Sequence, residues 1–256
     1  MAESSLSQGF PDFQSAVAFF LGYGVTSTNW TAAQLAEINE IVNAGYRQFL
    51  FPPPLDGGTA HDWSFLKPET TLTTTAALAY YTLPDDFGTI LGDLTYGPNE
   101  YWSVVKVIGE GAIRELMQRG INSGRPMYAS ITPLAAAGTT GQRFQINFWP
   151  VPTGVYHLTY RYIPNVAALA SGVPYAWGGM PHSDTILQSC LAIAEQRRDD
   201  TLDLHTTKFK ERLAASIAFD RRQTQANFGR NLDNSDSRDY PRPVRIDSVT
   251  FNGGHY

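Results

Sequence analysis

An α+β fold, with helices at both ends of the chain around a β-rich middle, is predicted by three observations. Apolar residues recur at helical spacing before Pro52 and again after Ser183. Between about His61 and Tyr162 the chain becomes a series of short runs rich in Thr, Tyr, Val, Ile and Phe, most of them bounded by Gly, Pro, Asn or Asp. After Gly229 it turns polar. These changes divide the chain into residues 1–60, N-terminal helices; 61–172, a large antiparallel β-rich insertion with one short helix; 173–229, C-terminal helices; and 230–256, an extended C-terminal arm. Neither helix pair can hide its apolar stripe alone, so the two pairs are expected to form one helical bundle.

The first helix runs from Pro11 to Leu21, with Phe13, Val17, Phe20 and Leu21 on one face and Gly22-Tyr23-Gly24 ending it. Thr31 is the expected N-cap of the second, with Gln34 completing a capping box. Leu35, Ile38, Ile41, Val42, Tyr46 and Phe49 form its stripe, and Pro52-Pro53-Pro54 stops it. Strands are expected in "SFLKPETTLTTT", "AYYTLP", "FGTILGDLTY", "YWSVVKVI", "PMYASITP", "QRFQINFWP" and "VYHLTYRYI". In "QRFQINFWP", Phe144, Ile146 and Phe148 point one way and Arg143, Gln145 and Asn147 the other. Glu110 to Arg119 reads as a short helix closed by Gly120. Ser183 is the expected cap of the next helix, whose stripe is Ile186, Leu187, Cys190, Leu191 and Ala194. Phe209, Leu213 and Ile217 mark the last one.

Composition narrows the function. The formal net charge of −5 argues against a basic nucleic-acid clamp. Charged residues are 17% of the chain, below the roughly 25% usual for soluble domains, which favours a surface partly covered by neighbours. The single cysteine, Cys190, excludes an internal disulfide and a cysteine-based zinc site, and its apolar stripe predicts an inert thiol with a raised pKa. No apolar run approaches the eighteen or so residues that span a bilayer, and the start lacks the features of a signal peptide. A protein made in the cytoplasm, without membrane contact, is expected.

Three constellations could carry chemistry. "HDWSFLKP" holds His61, Asp62 and Ser64 within four residues. As a strand it puts His61, Trp63 and Phe65 on one face and Asp62 and Ser64 on the other, so a catalytic triad cannot converge, and Trp63 with Phe65 becomes a structural anchor. His182, Asp184, Glu195, Asp199, Asp200, Asp203 and His205 offer metal ligands, but no ligand motif joins them, and Arg197 and Arg198 are expected to pair with these acids along one helix. Gly109 and Gly111 precede a helix without the rest of a phosphate loop. No catalytic residue, metal or cofactor is expected. The arm fits either simple disorder or a segment that orders on a partner, anchored by Tyr240, Phe251 and Tyr256 and stiffened by Pro241 and Pro243.

"HDWSFLKPETTLTTT", "YYTLPDDFGTILGDLTY", "GRPMYASITP", "GQRFQINFWPVPTGVYHLTYRY" and "GGMPHSDTILQSCLAIAEQ" resemble the head-to-tail adaptor, or neck, proteins of tailed bacteriophages, from about Trp30 to Arg222. The resemblance implies a helical bundle with a β insertion and a ring of twelve copies below the portal protein. It further implies C-terminal arms on the portal, tail or nozzle proteins on the other side, and double-stranded DNA passing through the lumen without sequence-specific binding. The location it implies is the virion neck. Two other classes stay open: a carbohydrate-binding or hydrolytic tail module, in which Tyr80, Tyr81, Tyr96, Tyr101 and Trp102 would stack on sugars, and another virion subunit such as a head-completion or tail-tube protein.

Overall fold

The computed structural model describes residues 4–55, 59–98, 100, 102–120, 122–137, 141–199, 204–223, 250–251 and 254–255. Among the described residues, five α-helices and several sheets make up a mixed α+β protein with two apolar cores.

The first core is helical. Helix α1 (Phe10–Leu21) starts with a proline in its first turn and an Asp12 carboxylate that accepts from the Gly9 amide, and it ends on Gly22 at φ 83°. Helix α2 (Ala32–Leu50) carries the expected capping box between Thr31 and Gln34. Ile38, Ile41, Val42, Tyr46 and Phe49 of its stripe are buried, whereas Leu35, near the helix start, remains 39% exposed. After the β-rich insertion come α4 (Met180–Asp199) and α5 (Leu204–Gln223). Ser183 is not a cap: it lies within the first turn of α4 and its hydroxyl donates to the Met180 carbonyl.

Helix α4 is the central one, packed against α1, α2 and α5 together. This position buries polar side chains as well as its apolar stripe. Thr185 Oγ1 lies 2.6 Å from Ser216 Oγ, and Ser189 Oγ donates to Gly45 O at 2.8 Å. Buried polar groups require such partners, since an unmet one costs about 1–3 kcal/mol. The α2–α4 contact is very close at Gly45, where an added Cβ would fall 2.5 Å from Cys190 Cα. Only glycine permits that approach.

The second core lies between two sheets. One has the order β1 (Glu69–Thr73), β9 (His157–Pro164), β3 (Phe87–Tyr96), all antiparallel. The other has the order β2 (Tyr80–Thr82), β7 (Gly141–Trp149), β6 (Tyr128–Ala137), β4 (Lys106–Val107). Leu94, Ile146, Phe148 and Leu158 are fully buried between them, so Phe148 and Ile146 face inward as their alternation predicts. The insertion is not antiparallel throughout. Strand β4 runs parallel to β6, and β5 (Ser123–Gly124) parallel to β8 (Val151–Pro152). A parallel pair needs a crossover, and helix α3 (Glu110–Arg119), capped by Gly109 and Gly120, supplies it between β4 and β6. The outer face of the sheet therefore lies under α3. A short hairpin, β10 (Thr250–Phe251) with β11 (Gly254–His255), completes the described chain.

Candidate functional site

Of the predicted arm residues, Tyr240, Pro241, Pro243 and Tyr256 lie outside the described residues, and Phe251 is described only as backbone in β10. The root of the arm is visible at the end of α5. There Asp220, one turn before the last helical residue, is 1% exposed and holds the segment that opens the β insertion.

The strand expected at "HDWSFLKP" does not form. Residues 61–63 are irregular, Ser64–Leu66 make a single 3-10 turn, and β1 starts only at Glu69. Strand alternation therefore does not apply, and the turn brings His61 and Ser64 to the same partner. His61 Nε2 donates to Asp220 Oδ2 at 2.8 Å; Ser64 Oγ donates to Oδ1 at 2.5 Å, and the Ser64 amide to Oδ2 at 3.1 Å. Burial pushes the Asp220 carboxyl up, but the hydrogen bonds from the Ser64 hydroxyl and amide and from His61 more than offset it, so its pKa lies below the ordinary 3.8. Asp62 points elsewhere and pairs with Lys67 at 2.7 Å.

Trp63 drives this geometry. It is fully buried, its indole N–H donates to Phe49 O at 2.9 Å, and its ring lies 4.8 Å from that of Phe49 and 5.3 Å from that of Phe65. A large aromatic with one polar atom is satisfied best in such a place. His61 packs edge-on against the Trp63 ring. The buried His182 of α4 closes the group, with rings of Trp63, Phe65 and Phe219 within 5.8 Å. Desolvation lowers the His182 pKa below its ordinary 6.5; nearby Asp220 opposes this and His61 adds to it.

Chemically, the cluster is a clasp. A serine nucleophile needs its hydroxyl on a base that a third group orients. Here the carboxylate stands in the middle, and the Ser64 proton is directed to it. What the arrangement does is tie α5 to the chain just before β1, joining elements 156 residues apart in sequence.

The other candidates disperse. Among the described residues no three of His, Cys, Asp and Glu gather as metal ligands. Asp184 pairs with Arg212 at 2.9 Å. Glu195 accepts from the first-turn amides of His205 and Thr206, which favours a negative group at the start of α5. Asp200 and Asp203 lie outside the described residues. Arg197 and Arg198 reach across to other helices, to Glu40 at 2.6 Å and to the Phe20 carbonyl, and their expected pairing with Asp199, Asp200 and Asp203 falls on side chains outside the described ones. Burial pushes the Cys190 thiol up to about 12. Tyr81 and Tyr96 donate to backbone carbonyls, Trp102 lies under Arg125, Tyr80 reaches toward Met117 of α3, and Tyr101 lies outside the described residues.

In comparison with known proteins, a family model described as SU10 adaptor protein matches residues 10–245. No curated protein matches the chain. The matched span includes both cores, the clasp, Tyr240, Pro241 and Pro243, and stops short of Phe251 and Tyr256.

Proposed function

The chain belongs to the SU10 adaptor protein family, a family of phage origin, and from that membership we propose that it is a virion structural protein of the head-to-tail junction. Its copies form a ring beneath the portal protein, receive tail or nozzle proteins on the opposite side, and leave a lumen through which double-stranded DNA passes. The observation that carries this reading is the match along 10–245, which takes in the helices of both chain ends and the insertion between them. The low charged fraction supports it, as do the exposed Phe19, Val25 and Phe51 on the helical part, since an assembly subunit presents apolar side chains to its neighbours. A net charge of −5 suits a channel wall that must let DNA slide.

In this reading the chain performs no bond chemistry, and the clasp has a mechanical task. It fixes the direction in which α5 delivers the segment beyond residue 223, which contains the proposed portal-binding residues Tyr240, Pro241, Pro243, Phe251 and Tyr256. The test is the mass of the purified protein, alone and mixed with its phage's portal, together with images of the particle. A ring of twelve seated under the portal is expected. A protein that stays monomeric with portal, and is absent from the particle's neck, would overturn the proposal.

A further inference from the structure

His182 sits in an aromatic box. The rings of Phe49, Trp63, Phe65 and Phe219 lie 5.2–5.9 Å from its own, centroid to centroid. The residue is 2% exposed, and its Nδ1 is buried without a hydrogen-bond partner among the described residues. Gly178 lies close against it: an added Cβ there would fall 3.1 Å from both His182 Cδ2 and Phe65 Cζ. Such a place suits a neutral imidazole, which carries a single N–H. An imidazolium has an N–H on both nitrogens, and a buried donor left unmet is costly.

Two titratable groups act on this ring: Asp220 of α5, which favours its charged form, and His61 of the segment before β1, which opposes it. The other elements packed on it, α2 through Phe49 and residues 63–65 through Trp63 and Phe65, present aromatic rings. Two imidazoles thus face one carboxylate. Asp220 is committed to the clasp, its oxygens accepting from His61 Nε2 and from the Ser64 hydroxyl and amide. Desolvation therefore prevails at His182 and holds its pKa below the ordinary 6.5.

We infer that the box is an acid-opened latch: one proton taken up by the His182 ring parts the start of α4 from the end of α5 and from residues 61–65. His182 lies in the first turn of α4 and Asp220 in the last turn of α5, so only helix ends need to move. Ile38, Val42 and Cys190, deeper in the helical core, stay packed. Trp63 and Phe65 line the box and flank Ser64, so the opening also loosens the clasp. The opening stands by itself. That it frees the segment beyond residue 223 for docking on the portal rests on the adaptor reading above.

The experiment is hydrogen exchange of the full-length protein, read by mass spectrometry at about pH 5.5 and about pH 7.5 and corrected for intrinsic rates. An opened His182 with the ordinary pKa of 6.5 is protonated about ten times as often as not at the lower pH, and about a tenth as often at the higher. Peptides covering residues 61–66, 180–184 and 216–223 should therefore open about tenfold more at the lower pH, while those from 36–45 should not. His182→Phe and His182→Gln cannot titrate and should abolish the difference, and either one that folds decides. Both variants keep His61 and Asp220, so a difference that survives in them belongs to the clasp and overturns the inference. Equal protection of the parent protein at the two pH values, or a loss spread evenly over both cores, would overturn it too. Failure to form a ring would count against the adaptor reading alone.

Discussion

Replacing Asp220 with alanine tests the clasp most directly. The carboxylate is acceptor for three hydrogen bonds, from His61 Nε2, Ser64 Oγ and the Ser64 amide, at 2.8, 2.5 and 3.1 Å. Hydrogen bonds to a buried charged group contribute about 1.5–3 kcal/mol each, but three on one carboxylate are not additive. Removing the group also strands its donors in a site that water hardly reaches. A total loss of about 3–5 kcal/mol is expected, the range for breaking a buried charge network. Ser64→Ala, which leaves two of the three bonds, should lose about 1–2 kcal/mol. Urea unfolding followed by tryptophan fluorescence measures both, with Trp63 one of the five tryptophans that report. The double variant should lose less than the sum of the single ones, because both delete the same contact. The native pKa of Asp220 is depressed below 3.8, so the clasp should contribute in full above about pH 4 and fade as pH falls through the lower folded value. If Asp220→Ala unfolds within about 0.5 kcal/mol of the parent protein, the clasp does not hold α5 and the mechanical argument is wrong.

Three more outcomes are expected. His182, depressed below 6.5 in the folded protein, takes up its proton more readily once unfolded, so stability should fall as pH drops below about 6.5; His182→Phe should remove that slope and be near neutral at pH 7.5, which urea titrations across pH would show. Gly45→Ala places a Cβ 2.5 Å from Cys190 Cα, backbone against backbone, and should cost about 2–4 kcal/mol in the same assay. Deleting residues after Gly229 removes none of the described residues of either core, so circular dichroism should show a folded protein, while counts of tailless particles should rise if the arm docks on the portal.

Much of the fold was legible because its signals are local. The Thr31–Gln34 capping box, the Gly120 stop and the alternation of β7 each lie within a few residues, and each is present in the structure. The clasp was not legible. His61 and Ser64 meet an acid 156 residues or more away, and the nearby Asp62 was the misleading one. Pattern reading also assigned strand to a turn that the burial of Trp63 imposes. The polar face of β7 was read correctly as polar, but its cover by α3 follows from a parallel crossover that no sequence period announces. Ser183 failed as a cap because α4 starts earlier, at Met180, ahead of Pro181.

The contact between Gly45 and Cys190 makes the protein its own reporter. The thiol belongs to the only cysteine in the chain, is fully buried, and has its pKa pushed up to about 12. A maleimide can therefore label it only during moments when α2 and α4 part. The labelling rate, referred to that of the unfolded chain, gives the free energy of that opening without any engineered probe. Measured before and after assembly, it would show whether neighbours in a particle tighten the helical core or leave it to breathe as it does alone.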